Sequence, residues 1–166
     1  GEFSIGVAGF PEGHIACKEG RHVDWQRLKH KIDHGADFVI TQLFFRNSDY
    51  FACRDYLTKL GVGVPIIPGI LPILSAAQIK RFVALCGAEL PGAVITQLEQ
   101  CPDDEAVTAF GIDYATRQCE ELLREGAPGL HFYTLNKARS ASAVLANLGL
   151  DRSRGSGSPT PTCTTP

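Results

Sequence analysis

Four times along this chain an apolar run gives way to a segment of helical period, and each run ends in residues too polar or too constrained for mid-strand. The first ends in Phe10-Pro11-Glu12-Gly13-His14, the second in Thr41-Gln42, the third in Pro68-Gly69-Ile70-Leu71-Pro72, and the fourth in His131-Phe132-Tyr133-Thr134-Leu135-Asn136. Strand-helix alternation predicts a parallel sheet with crossover helices, in which the loops after the carboxyl ends of the strands converge on the ligand. The pattern therefore predicts one rim of an enzyme's active site.

The first strand is expected over Phe3 to Gly9, followed by a loop and a helix from Asp24 to His34 with Asp24 as N-cap, Gly35 as stop, and Trp25, Leu28 and Ile32 as its apolar stripe. A second strand, Phe38 to Phe44, precedes a helix opening at Ser48 and closing at Gly61. The third strand, Val64 to Leu71, contains Pro68-Gly69, which predicts a bend or bulge near its end. Ser75-Ala76-Ala77-Gln78 spells a capping box for a helix running to Cys86. Ala93 to Leu98 reads as a further short helix, and Asp103 to Glu125 as the clearest helix of the chain. A strand over Gly129 to Leu135 and a helix over Lys137 to Leu148 close the fourth unit, and beyond Leu150 the Ser, Gly, Thr and Pro residues predict a disordered tail over 151–166.

An eight-stranded α/β barrel typically needs about 250 residues, so four units within residues 1–150 amount to half of one. The expected fold is α/β, half of a (β/α)8 TIM barrel. No glycine fingerprint follows the first strand, which disfavours a doubly wound nucleotide fold. A half barrel exposes two sheet edges, at Phe3 to Gly9 and at Gly129 to Leu135, and such edges invite pairing with another chain or a missing half.

At 166 residues, 44% hydrophobic and 20% charged, the composition is that of a globular protein with a core. A net charge of -2 with scattered Lys and Arg argues against nucleic acid. The six cysteines form no CxxC pair and no metal-ligand spacing, so free thiols, a cytoplasmic location and no metal are expected. No apolar stretch is long enough to span a bilayer, so no membrane partner is expected.

Gln42 interrupts an apolar strand on the same face as Ile40. A carboxamide there must satisfy a donor and an acceptor, which a heterocycle with adjacent N–H and carbonyl would do; a neighbouring strand or loop would do so equally. His14 stands past a strand end, either solvated or placed for proton transfer or for a ligand phosphate. Asp24 and Lys31, seven residues apart, fall on nearly the same side of one helix, as cap and surface charge or as contacts to a polar cofactor arm. Gln78 and Phe82, one turn apart, share a helix face, with Phe82 either core or a stacking ring. No Ser-His-Asp order, G-x-S-x-G, H-E-x-x-H or Walker loop occurs.

Val7-Ala8-Gly9-Phe10-Pro11-Glu12-Gly13-His14, Gly35 through Phe45, Ile67-Pro68-Gly69-Ile70-Leu71-Pro72 and Leu130-His131-Phe132-Tyr133-Thr134-Leu135-Asn136 together strongly resemble methylenetetrahydrofolate reductase. The resemblance implies the second half only of a flavin-binding (β/α)8 TIM barrel in which NADH or NADPH reduces FAD, and the flavin then reduces 5,10-methylenetetrahydrofolate to 5-methyltetrahydrofolate for methionine synthesis. Carried over by position, Phe10, His14, Asp24, Lys31 and Ile40 resemble FAD contacts, with Lys31 near the phosphates. Gln42 resembles the pterin-recognising amide, Gln78 and Phe82 a substrate-face pair, and Tyr133 and Lys137 contacts to the folate tail or nicotinamide nucleotide. Lys137 stands where the family motif usually has arginine, which removes a planar two-bond grip on a carboxylate but keeps the charge. The family's general-acid glutamate and its flavin-side aspartate belong to the first half of the barrel, so no catalytic residue is assigned here. The expectation is a homo-oligomeric full-length enzyme of which the isolated chain is an inactive portion; the competing reading is a non-catalytic half-barrel that self-associates or binds a partner.

Overall fold

The computed structural model describes residues 3–151, so the tail expected over 151–166 lies outside the described residues except for Asp151. Within them the order is β1 (Gly6–Gly9), α1 (Arg21–Asp33), β2 (Phe38–Leu43), α2 (Asn47–Lys59), β3 (Ile66–Ile70), α3 (Ala76–Cys86), α4 (Gly92–Gln100), α5 (Asp104–Arg124), β4 (His131–Phe132) and α6 (Ala138–Asn147). The strands form one parallel sheet in the order β1-β2-β3-β4. Sequential order without reversal is compatible with a segment of a barrel, and no reversal of winding occurs among the described strands. The described residues close no barrel: β1 and β4 remain edges.

Alternation assigns the two faces of the sheet. Val7, Val39, Ile66, Ile70 and Phe132 pack with Trp25 and Leu28 of α1, Tyr50 and Leu57 of α2, Cys119 and Leu122 of α5 and Val144 of α6. The opposite face, with Ala8, Ile40, Gln42, Ile67, His131 and Tyr133, has no such cover and stays half-buried to exposed. A second core at the carboxyl end of the sheet gathers Leu43, Phe45, Leu71, Ile73, Ile79, Val94 and Val107, drawing α3, α4 and the start of α5 over the strand ends. Thus the third unit contains three helices rather than one, and its last, α5, lies against β3.

Several expected boundaries move, each for a local reason. Helix α1 starts at Arg21 with Gly20 at the N-cap, and Asp24 lies inside its first turn with its N–H on Gly20 O, so Asp24 is not the cap. The negative charge still favours the amino end of the helix. Helix α2 starts at Asn47, because the Asn47 carboxamide turns away to donate to Gln118 O at 3.0 Å and to Glu121 at 2.6 Å. Strand β1 begins only at Gly6, since the Asp37 carboxylate takes the Ile5 N–H at 2.7 Å in place of a strand partner. Strand β4 shrinks to two residues, because on the β4 side of β3 Pro68 has no N–H and the Ile66 carbonyl is held by the Tyr50 hydroxyl at 2.8 Å. The irregularity expected near Pro68-Gly69 is present, with the extra residue on β2: Ile40 pairs Ile67, then Leu43 pairs Gly69. The Ser75 cap on Gln78 N–H, the helix over Ala93 to Leu98 and the long α5 capped by Asp103 match expectation.

Candidate functional site

The loops after β1 and β2 meet the end of α3 in a small cleft lined by Phe10, Pro11, Glu12, Gln42, Leu43 and Cys86. Phe10 is anchored by the Trp25 indole N–H on its carbonyl at 2.9 Å, and its ring meets His14 edge-on at a centroid distance of 4.5 Å. His14 Nδ1 accepts the Ala16 N–H at 3.0 Å, which puts the neutral ring's proton on Nε2, pointing away from its own turn. Gln42 Oε1 accepts the Leu43 N–H at 3.0 Å. Ile40 lies half-buried on the open face two residues before it.

Lys31 is exposed, and its Nζ donates to Ala8 O at 2.9 Å. Ala8 is in register with Ile40, but peptide groups along a strand point alternately to its two sides, and the Ile5 carbonyl three residues earlier takes the Asp37 N–H on the β2 side, so the Ala8 carbonyl faces the unpaired edge of β1. Asp24 and Gln78 are half-buried, and no described cleft joins either to the other expected site residues. Phe82 and Tyr133 both pack against the rim core. Tyr133 and Lys137 line a second small cleft with Pro72, Leu74 and Ser140. Lys137 is reached through Leu135 and Asn136, at φ 51° and 63°, and its N–H closes on Thr134 O at 2.8 Å. That is a turn with two successive left-handed residues, neither of them glycine.

Glu12 is the residue that sequence reasoning undervalued. Burial pushes its carboxyl above the ordinary range, opposed by the Glu89 N–H, which donates to Oε1 at 3.0 Å. Arg46 at the exit of β2 bonds Glu89 Oε1 at 3.1 Å and Asp49 Oδ2 at 3.1 Å, and Arg21 reaches Asp49 Oδ1 at 3.4 Å. These contacts tie the β1 loop, the start of α2 and the α3–α4 connection into one rim. Their partners lie far apart in sequence, so the only local signal was an acid at a strand's carboxyl end. A groove of about 570 Å³ opens on the helix layer between α2 and α5, beside Phe51, Tyr114 and Arg117, and reaches Phe45 and Arg46 at the exit of β2. Among the described residues no group of three or more His, Cys, Asp or Glu could hold a metal ion, and no helix is long and apolar enough to cross a membrane.

A sequence profile of the methylenetetrahydrofolate reductase family matches residues 1–149. Methylenetetrahydrofolate reductase (NADH) 1 of Arabidopsis thaliana is 39% identical over 157 residues, covering 89% of this chain and 26% of the relative. The probable methylenetetrahydrofolate reductase (NADPH) of Caenorhabditis elegans is 40% identical, covering 92% and 23%. The 5,10-methylenetetrahydrofolate reductase of Escherichia coli (strain K12) is 38% identical, covering 90% and 50%. The chain thus spans half the length of that bacterial relative and about a quarter of the plant and nematode ones. Among solved structures, an uncharacterized protein from Clostridium thermocellum that binds two copies of 5-methyl-5,6,7,8-tetrahydrofolic acid shares the fold, with a TM-score of 0.59 at 20% identity over 87% of this chain and 52% of that one.

Proposed function

This chain belongs to the methylenetetrahydrofolate reductase family, and from that premise we propose that it is the second barrel half of a flavoenzyme reducing 5,10-methylenetetrahydrofolate to 5-methyltetrahydrofolate with NADH or NADPH, for methionine synthesis. The observation that carries the reading is Gln42: a half-buried carboxamide at the carboxyl end of β2, in one cleft with Phe10, on the open face of the sheet. A polar amide at that place on an apolar strand suits an oriented planar heterocycle. The fold shared with a protein that binds 5-methyltetrahydrofolate is compatible with it.

The residues present fit FAD. Ile40 and Ala8 offer an apolar floor, and the Phe10–His14 pair a wall with an outward N–H. Lys31 holds its ammonium on a single backbone carbonyl, a bond that a phosphate can replace with a charge-assisted one. Asp24 would meet a polar arm of the cofactor along α1. FAD, when bound, supplies the hydride relay between nicotinamide and folate. The protein's part is to hold the rings in register and keep water from the reacting faces. Gln78 and Phe82 on α3 face the substrate in this reading, Phe82 by stacking, while Tyr133 and Lys137 line the path of the folate tail or nicotinamide nucleotide. The family's general acid is not among the residues carried over, so the isolated chain is inactive in this reading, and the complete cytoplasmic enzyme is a homo-oligomer.

The test pairs this chain with the complementary barrel half of the Escherichia coli relative and follows the two half-reactions separately by flavin absorbance. Gln42→Ala is expected to slow reoxidation by 5,10-methylenetetrahydrofolate roughly tenfold or more, about 1.4 kcal/mol of transition-state binding, with flavin reduction by NAD(P)H little changed. Equal losses in both half-reactions would remove Gln42 from the pterin site.

A further inference from the structure

Gln42 sits at the one irregular step in the β2–β3 ladder, and the contact that holds that step comes from two strands away. Between the pairs Ile40–Ile67 and Leu43–Gly69, Thr41 and Gln42 together oppose Pro68. The bulge turns the Thr41 backbone, so that its hydroxyl, not a carbonyl, receives the Gly69 N–H at 2.9 Å. The displaced Thr41 carbonyl accepts the Tyr133 hydroxyl at 2.8 Å. To make that bond the Tyr133 ring crosses β3 directly over Gly69. A Cβ there would stand 2.7 Å from Tyr133 Cε2 and 2.2 Å from Thr41 O, so only glycine leaves the crossing open.

The residue after Thr41 inherits this geometry. Gln42 folds back until Oε1 takes the Leu43 N–H, and what it then has to offer the cleft is chiefly its two Nε2 hydrogens. Nothing in a free glutamine fixes that polarity; the bulge does.

We propose that Tyr133 is a positioning residue which, through the Thr41 carbonyl, holds the β2 bulge and thereby presents Gln42 as an N–H donor, so that the site selects a heterocycle offering a carbonyl or ring-nitrogen acceptor at that edge. The proposal deepens the folate reading, on which only the ligand's identity rests. Tyr133 acts from the same face as the site, across β3: its hydroxyl is committed to Thr41, and Phe at this position keeps the ring and removes only the strap.

The experiment is amide hydrogen exchange by NMR on the 15N-labelled 166-residue chain and its Tyr133→Phe variant. The reporters are Leu43 and Gly69 at the bulge, and Leu57 and Cys119 in the sheet-helix core. Exchange at Leu43 and Gly69 is expected to accelerate at least roughly tenfold while Leu57 and Cys119 keep their rates. Unchanged rates at Leu43 would overturn the proposal, and so would all four amides accelerating together, which is the mark of a merely structural tyrosine. Thr41→Val, which removes the hydroxyl but keeps the carbonyl, is the second variant: it should release Gly69 and leave Leu43 protected. Release of Leu43 as well would show that the carbonyl strap is not what holds it. Titration of the wild-type chain, paired with the complementary barrel half of the Escherichia coli relative, with 5-methyltetrahydrofolate, followed at the Gln42 side-chain NH2 signal, separates the two levels. A silent signal counts against the folate reading, whereas the exchange rates decide the strap.

Discussion

Gly111 lies in the middle of α5, where helix propensity says alanine should improve the protein and packing says it should damage it. Exchanging Gly for Ala in a helix interior contributes about 1 kcal/mol of stability when the site is open. Here it is closed: a Cβ on Gly111 would lie 2.0 Å from Ile73 O and 2.8 Å from Ile73 C, in the segment that leaves β3. Carbon and carbonyl oxygen approach no closer than about 3.3 Å even in favourable contacts, so one backbone must retreat by roughly 1 Å. Neither is free to do so. Thr108, one turn earlier, donates its hydroxyl to Leu74 O at 2.9 Å, and Ile73 is 2% exposed within the rim core. Overpacking of this kind costs about 3 kcal/mol when rigid groups face each other, and a loosened Thr108 bond adds about 1 kcal/mol. Gly111→Ala should therefore lose about 3 kcal/mol net, read as a lower urea midpoint at unchanged m-value by far-UV circular dichroism. Ala109→Gly, on the exposed side of the same helix, is the control and should cost about 1 kcal/mol. A Gly111→Ala chain as stable as the parent, or more so, would refute the claim that α5 is seated on the β3 exit by direct backbone contact.

Glu12→Gln probes the half-buried carboxyl: because burial raises its folded pKa, the native state holds the proton longer than the unfolded chain, and stability falls as pH rises through the carboxylate range. Glutamine still accepts the Glu89 N–H, so the variant should lose that pH dependence and gain on the parent at neutral pH; a neutral-pH loss in urea midpoints would contradict this. Leu135→Gly should raise thermal stability by up to about 1 kcal/mol by relieving a left-handed, non-glycine residue at φ 51°, and a lowered melting temperature would show that the leucine contacts outweigh the strain. The Cys53 and Cys119 thiols are each pushed up to about 12 by burial, so both should ignore a disulfide-exchange reagent until denaturant is added; rapid labelling of either in the native chain would place it outside the core.

The sheet was legible in the sequence because its signals are local. The apolar run at Phe38–Leu43, the Ser75 capping box and the long period of α5 each state their element within a few residues. What local pattern could not state is which groups travel. Asp24 looks like a cap because Asp before an apolar stripe usually is one, yet a backbone turn at Gly20 starts the helix three residues earlier. The long fourth run predicted a long strand, but a strand is only as long as its partner's free N–H and C=O row, and Pro68 and Tyr50 had already consumed that row. Of the site, Gln42 beside Phe10 was readable from alternation and strand ends. The Glu12–Glu89 bond and the reach of Tyr133 to Thr41 were not, since each joins residues more than seventy positions apart that no periodicity connects.

The ammonium of Lys31, resting on the Ala8 carbonyl, gives the bare side of β1 a gatekeeper. An unpaired strand is a template for its neighbours, and a lysine parked on it charges an entry toll: any strand adding there must first expel a cation from the very oxygen it needs. A strand added at this edge would have to displace the ammonium before it could use the Ala8 carbonyl.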